Sequence, residues 1–279
     1  MTSRWETPRE FRRNRGAVLG LLVVAVLLAV AALAPLLAPH DPTRMDSDRL
    51  LRPPGRAHLL GTDQYGRDVL SRILHGAALS LQVGLISVGI AASGGLVLGL
   101  LSGYYGRWVD LAVMRVIDVM LAFPSILLAL GIVAVLGPSL NNVMLAVGIA
   151  GVPVYTRLVR GQVLATRALT YVEAARTTGC GDARIVGRHI LPNIVAPVIV
   201  VATLGIAGAI LTGAALSFLG LGAQPPSSEW GAMLSDGRGF LRQAWWVTTF
   251  PGLAISVTVL AINMMGDGLR DALDPRLKT

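Results

Sequence analysis

The chain has 279 residues, of which 53% are hydrophobic and only 14% are charged. This composition is too apolar for an ordinary soluble domain and too poor in charge for a disordered one, so it predicts a membrane protein with several spans. The formal charge of +8 would suit a nucleic-acid surface, but most basic residues lie in tails and loops between apolar runs, so we predict no nucleic-acid partner.

Uncharged runs predict six membrane-spanning helices, because a charged group at the bilayer centre costs roughly 2.5 to 3.5 kcal/mol. The first run, 16–39, is longer than the core of a cleaved signal peptide and is interpreted as an anchored span. The run 119–156 is too long for one helix, so it must fold back at the turn-like sequence 137–142. The predicted spans are 17–38, 79–101, 114–136, 142–161, 194–216 and 245–265.

The residues just before the second span predict an interfacial amphipathic helix within the first external loop, 39–78. In the sequence GRDVLSRILHGAAL, apolar residues share one helical face and polar residues another. Such a helix would lie on the outer membrane surface or against the bundle. The alternative is a simple N-terminal extension of the second span.

The chain termini are predicted to lie in the cytoplasm. Six spans put both tails, 1–16 and 266–279, on the same side of the membrane, and the N-terminal tail is rich in arginine. Predicted cytoplasmic segments carry more basic residues than external ones, although the first external loop is also arginine-rich. We therefore expect a multi-pass protein of a bacterial or archaeal inner membrane, in contact with lipid.

No catalytic pattern is present: the sequence contains no HExxH, GxSxG or GxxxxGK[ST] motif. We therefore predict no catalytic residues and no cofactor in this chain. The histidines, at spacings unlike those of a ligand set, predict no metal site; they are His40, His58, His75 and His189. No ionisable residue lies in the middle of a predicted span, which indicates that any driving force for transport enters from outside the chain.

A polar loop, 162–193, separates the fourth and fifth spans. Its sequence predicts a short helix, a break at the glycines 179–181, a second helix with Asp182 as its N-cap, and an end at Leu191 and Pro192. Two short helices joined at a glycine hinge form an elbow, on which Ala174 and Ala175 offer a small-residue surface for another protein. A hairpin that merely caps the bundle and touches anionic lipid is an equally weighted alternative.

This loop resembles the EAA signature of ATP-binding-cassette importer permeases. Glu173, Ala174 and Ala175 are followed after three residues by Gly179, and then, after eleven intervening residues, by Leu191 and Pro192. The signature's isoleucine is replaced by His189, and the variant RHILPN is similar to the C-type subunit of the dipeptide, oligopeptide and nickel permeases. Further similar stretches span most of 34–277; they are 34–42, 58–81, 114–130, 215–238 and 245–277.

The resemblance implies an all-α membrane protein with the type I importer permease fold and a permease domain at 77–267. Implied partners are a second, B-type permease, two ATPases that bind ATP and Mg, and an extracytoplasmic solute-binding protein. Residues implied to couple the loop to an ATPase are Glu173, Ala174, Ala175, Gly179, Asp182, Leu191 and Pro192.

Two further regions acquire an interpretation from the resemblance. The external segment 217–244 would form a scoop that faces the binding protein or the pathway entrance, or else a plain loop covering the bundle. Its candidate contacts are Glu229, Trp230, Asp236 and Arg238. Phe123 and Pro124 would kink the third span, where they either line the pathway or pack within the bundle.

The expected substrates are di- and oligopeptides. Close relatives of this family carry nickel, glutathione or haem, so these substrates stay open. A stand-alone secondary carrier is the alternative from another class; it would show gradient-driven flux in the isolated chain.

Overall fold

The computed structural model describes residues 14–273. Most of the predicted N-terminal tail and the end of the predicted C-terminal tail therefore lie outside the described residues. The α-helices in the described range are α1 (Arg15–Leu37), α2 (Val69–Tyr105), α3 (Arg107–Leu121), α4 (Ser125–Leu136), α5 (Leu140–Arg167), α6 (Thr170–Thr177), α7 (Asp182–Ile185), α8 (Leu191–Phe218), α9 (Trp230–Gly237) and α10 (Trp246–Leu273).

Five helices in the described range are long and apolar enough to cross a membrane, and a bent helix pair gives a sixth candidate. The five are α1, α2, α5, α10 and the continuous helical run Asp182–Phe218 that contains α8. The bent pair is α3 and α4, which meet at an angle of 92°. The predicted all-helical membrane fold is confirmed in the described range, with six spans if the bent pair is counted as one.

The third predicted span, 114–136, is not one straight helix. The break falls at Pro124, whose backbone is extended (φ −53°, ψ 133°) at the N-cap of α4. Proline has no N–H to donate and its ring clashes with the preceding turn, so it favours a kink or a break in the helix. The predicted kink is present, but it is a sharp break between two helices.

The packing of α2 against α5 shows the relative direction of these two helices. Gly99 of α2 lies against Val159, and Gly103 lies against Val163. Because both residue numbers rise together, the two helices are parallel. Added Cβ atoms on these glycines would lie 2.6 and 2.8 Å from the valine Cβ atoms, so only glycine permits this close approach. The α3–α4 pair must therefore return the chain across the bundle between them.

The packing of α1 against α10 shows which loops lie on the same face of the protein. Gly20 of α1 packs against Ala261 and Met265 near the end of α10, so α1 and α10 are antiparallel. At the other end, the indole N–H of Trp246, the first residue of α10, donates to the carbonyl of Thr62 (3.0 Å). One face of the protein therefore carries both described chain ends and the polar loop, and the opposite face carries the first loop and the segment 219–245.

The separate amphipathic helix predicted before the second span is not present; α2 runs unbroken from Val69 to Tyr105, over 37 residues. The alternative, an extension of the span, is correct. Gly76 lies at this junction, but the helix continues through it, and the glycine allows close packing because an added Cβ would clash with the carbonyl of Ser228. The first turns of α2 are buried against protein, since the indole N–H of Trp230 donates to the carbonyl of Ile73 (3.0 Å).

Candidate functional site

The polar loop forms the predicted elbow of two short helices. Helix α6 ends at Thr177, the chain turns at Gly179 with φ +83°, and α7 begins at Asp182. A positive φ favours glycine, which explains the glycine at the hinge. Asp182 is the first residue of α7 and not its N-cap, which is Gly181.

Leu191 and Pro192 do not end the second elbow helix, as predicted, but begin α8. A π-helical segment, Val186–Ile190, joins α7 to α8, so the helical run continues into the membrane span. Proline is tolerated at this position because it directly follows the π-helical segment, where the regular pattern of α-helical hydrogen bonds is already interrupted. The side-chain amide of Asn193 donates to the carbonyl of His189 (2.7 Å) and supports the same turn.

The inner side of the elbow is seated on the bundle. Val172, Ile185 and Ile190 are buried in one apolar cluster with Tyr104 of α2 and Val163 of α5. Burying three branched side chains stabilises this seat by several kcal/mol, at roughly 1.5 to 3 kcal/mol each. The elbow is therefore held by the parallel helix pair and not by a flexible linker.

The outer side of the elbow is uncovered. Glu173, Ala174 and Gly179 are exposed, whereas Ala175 is half-buried. A Cβ added at Gly179 would meet no atom within 4 Å. Among residues 14–273, no ion pair includes a charged side chain of the elbow. The surface has small residues flanked by unpaired charges, which suits a partner that approaches closely.

One hydrogen bond links the elbow to the end of α2, and the sequence did not indicate it. The hydroxyl of Tyr104 donates to Asp182 Oδ1 (2.7 Å), and the guanidinium carbon of Arg176 lies 5.9 Å from the centre of the Tyr104 ring. Nearby, Arg167 donates to the carbonyl of Gly103 (2.8 Å). The sequence alone does not show which of the adjacent residues Tyr104 and Tyr105 faces the loop.

Ion pairs hold α3 against α5 on the same face of the protein. Arg160 makes two bonds to the carboxylate of Asp110 (2.6 and 2.7 Å). Asp118, near the start of the predicted third span, is half-exposed and pairs with Arg157 (2.7 Å). A buried relay group would lack such a solvated partner.

The external candidates divide into buried and accessible residues. Glu229 and Trp230 are buried, which contradicts their proposed role as contacts for another protein. Glu229 is the N-cap of α9 and accepts from the N–H groups of Gly231 and Ala232 (2.9 and 2.8 Å), while burial raises the pKa of its carboxyl. Asp236 is half-buried and pairs with Arg67 (3.3 Å), and Arg238 remains exposed.

A cavity of about 370 Å³ lies between α2, α5 and α8. Its lining is uncharged and includes the hydroxyls of Ser87, Tyr155 and Thr212. Phe123 lies elsewhere, in an apolar groove along α4. The cavity is an uncharged space within the bundle that could hold a solute, and the role of Phe123 in the pathway stays a prediction.

The prediction that the histidines are scattered is wrong for His40 and His58. Together with Asp68, they bring ligand-type atoms within 4.8 Å of one another on the face opposite the elbow.

Two family models match the chain. The family described as "Binding-protein-dependent transport system inner membrane component" matches residues 95–279. The "N-terminal TM domain of oligopeptide transport permease C" matches residues 3–54. Together they cover most of the sequence.

Curated relatives align over nearly the whole chain. A dipeptide transport system permease protein of Escherichia coli is 53% identical over 284 residues, covering 100% of this chain and 95% of the relative. A dipeptide permease of Alkalihalophilus pseudofirmus is 49% identical, covering 98% and 90% respectively. A glutathione transport system permease of Pectobacterium atrosepticum is 50% identical, covering 97% and 90%.

Solved structures share the fold. A chain of the inward-facing MetNI methionine ABC transporter superposes with a TM-score of 0.58 at 18% identity, covering 74% of this chain and 98% of that chain. An amino acid ABC transporter gives a TM-score of 0.56 at 16% identity, covering 71% and 92%. At such low identity the likeness concerns the architecture alone.

Proposed function

The chain belongs to the family of binding-protein-dependent transport system inner membrane components, and from that premise we propose that it imports di- and oligopeptides as half of a heterodimeric permease. It is a multi-pass inner-membrane permease subunit of an ATP-binding-cassette importer. The proposal adds its second permease, its two ATPases, its solute-binding protein and its substrate.

The proposal rests on one property of the elbow: its inner side packs against the bundle, and its outer side is exposed. Its apolar residues are buried on the ends of α2 and α5, while Glu173 and Gly179 are exposed. An ATPase that binds this surface can displace both helices without unfolding the loop. Closure of two ATPases around ATP and Mg would then bias the permease between two states, as a ligand bound to one state does.

The cavity supports a peptide substrate. Its hydroxyls donate to backbone carbonyls of the protein and can accept from the N–H groups common to all peptides. Its uncharged lining selects for no particular side chain. Specificity is then left to the binding protein. Relatives named for dipeptides and for glutathione, itself a small peptide, are about equally similar to this chain.

Uptake by the assembled transporter tests the substrate. The two permeases and two ATPases are reconstituted in liposomes with the binding protein, and ATP-dependent accumulation of a labelled dipeptide is measured. We expect competition by unlabelled di- and oligopeptides and none by a nickel chelate. Competition by the chelate alone would overturn the peptide assignment, and gradient-driven flux through the isolated chain would favour a secondary carrier.

The cytoplasmic position of the elbow is also proposed, and cysteine labelling tests it. In a Cys180→Ser background, Ser47→Cys lies on the first loop and Asp267→Cys lies near the end of α10, both at exposed positions. In intact cells an impermeant maleimide should label the first variant, and it should label the second only after permeabilisation. The reverse pattern would invert the topology.

A further inference from the structure

Three side chains distant in sequence converge on the face opposite the elbow. His58 Nδ1 lies 2.8 Å from Asp68 Oδ1, and His40 Nδ1 lies 3.7 Å from the same oxygen. The two imidazole rings are 4.7 Å apart. His40 follows α1, His58 lies in the first loop, and Asp68 is the N-cap of α2.

The two oxygens of Asp68 have separate tasks. Oδ2 accepts from the N–H and the hydroxyl of Ser71 (both 2.8 Å) and so caps α2. Oδ1 is left facing the histidines. The cap holds the carboxylate in place, because Asp68 is buried and its cap bonds belong to the helix. One rigid ligand is thereby fixed before anything binds.

We propose that His40, His58 and Asp68 bind a divalent transition-metal ion of the Zn²⁺ class. Imidazole nitrogen and carboxylate oxygen are preferred ligands of Zn²⁺, with bonds of about 2.0 to 2.2 Å. Two atoms bound to the same ion therefore lie at most about 4.4 Å apart. The separations of 2.8 and 3.7 Å from Asp68 Oδ1 satisfy this limit, and a small movement of the exposed His40 side chain brings all three ligand atoms, now within 4.8 Å of one another, into range of one ion. The partly exposed His40 leaves a fourth position for water.

The surroundings favour a cation despite the basic composition of the chain. A cavity of about 180 Å³ adjoins the cluster, and its lining includes Asp41 and Asp46 as well as Asp68 against the two cations Arg44 and Arg49. Arg49 lies 3.3 Å from His58 Nε2. A metal on Nδ1 leaves a proton on Nε2, so Arg49 must then give up this contact. It keeps its ion pair with Asp46 (3.2 Å).

A bound ion would fasten the end of α1 to the start of α2. Those segments are already joined where the backbone N–H of His40 donates to the hydroxyl of Ser71 (3.1 Å). The ion adds a cross-link between loop residues that the helices do not otherwise fix. We therefore expect Zn²⁺ to stabilise the folded transporter as well as to bind it.

The test uses the assembled transporter, purified through a tag without histidine and freed of metal by a chelator. Zn²⁺ is titrated against a competing fluorescent chelator. We expect one ion per copy of this chain with a Kd of about 10 μM or tighter. His40→Gln and Asp68→Asn should each weaken this binding at least about tenfold. His75→Gln, a histidine nearby but outside the cluster, should leave it unchanged.

Two features of the variants keep the test decisive. His40 is exposed, so its replacement does not disturb folding, and asparagine at 68 can still cap α2. Arg49→Gln removes the competing cation and should tighten Zn²⁺ binding. Equal affinity and an equal Zn²⁺-dependent rise in Tm in wild type, His40→Gln and Asp68→Asn would overturn the proposal, as would no binding at millimolar Zn²⁺.

Discussion

The two polar faces of the protein satisfy their charges in opposite ways. The outer cap, which we define as residues 39–68 and 219–245, contains buried charges that pair within this chain, although other charges such as Asp48 stay exposed. The buried Asp63 accepts from Arg67 Nε (2.6 Å), and Arg72, in the first turn of α2, lies 3.5 Å from the same carboxylate. The elbow, residues 170–193, keeps Glu173 and its arginines exposed, and no ion pair in the described range includes them.

This difference separates charges that are satisfied within the chain from charges that remain available, on the elbow, to the ATPase that we propose as its partner. Removing a charge from water costs several kcal/mol, so a buried charge must be paired within the chain. An exposed charge carries no such cost and stays available to another protein. Substitutions in the outer cap should therefore change stability, and substitutions on the outer side of the elbow should change coupling.

The largest effect is expected from Asp63→Ala in the outer cap. It would leave Arg67 and Arg72, both buried, with Asp236 as their remaining acidic partner. Breaking a buried pair costs roughly 3 to 5 kcal/mol, so thermal unfolding of the purified complex should occur at a markedly lower Tm. Asp48→Ala, an exposed aspartate of the same loop, is the control; equal Tm values for the two variants would contradict the buried network.

Glu173→Lys should have the next largest effect, and on transport alone. It reverses a charge at the proposed docking surface, so peptide uptake and binding-protein-stimulated ATPase activity should fall at least about tenfold, or 1.4 kcal/mol. Stability should stay within about 0.5 kcal/mol, because the side chain is exposed. Asp267→Lys makes the same charge change on the same face; if it impaired coupling equally, the effect would not be specific to the elbow.

Gly179→Ala should affect both properties moderately. At φ +83° an alanine is strained, at a cost of roughly 1 to 2 kcal/mol, although its Cβ meets no neighbour. Gly179→Asn tolerates this conformation better but adds bulk to the docking surface. We expect the asparagine variant to unfold near the wild-type Tm yet show reduced uptake. Full uptake would mean that close approach at 179 is not required.

The smallest effect is expected from Tyr104→Phe, which removes the bond to Asp182. One hydrogen bond contributes about 0.5 to 1.5 kcal/mol, so stability should fall slightly and stimulated ATPase activity should be partly uncoupled from uptake. Tyr105→Phe, at a neighbouring ring that is exposed, is the matched control. Identical coupling ratios in the two variants would assign Tyr104 to packing alone.

The spans and the elbow could be predicted because their causes are local. A bilayer excludes charge, so uncharged runs mark the spans, and glycine at 179 marks a turn. The predicted ends of the second span, 79–101, differ from the ends of α2 because a helix can extend beyond the membrane when protein covers it. Trp230 covers the first turns of α2.

The outer cap could not be predicted, because its contacts join residues far apart in sequence. Glu229 and Trp230 have the polar and aromatic character of an exposed loop, and only the packing of α9 on α2 and α8 buries them. His40, His58 and Asp68 meet for the same reason. Their spacing follows the path of the first loop, which no periodic pattern encodes.

Helix α2 contacts both the elbow and the outer cap. Its last turn bonds to the elbow through Tyr104, and its first turn donates from Arg72 to the carbonyl of Ser227 in the outer cap (2.8 Å). At 1.5 Å per residue its 37 residues measure about 55 Å. It packs along α5 and contains no proline. Under the proposed coupling, a displacement of the elbow would therefore pass along one unbroken helix to the outer cap, with no loop between the two.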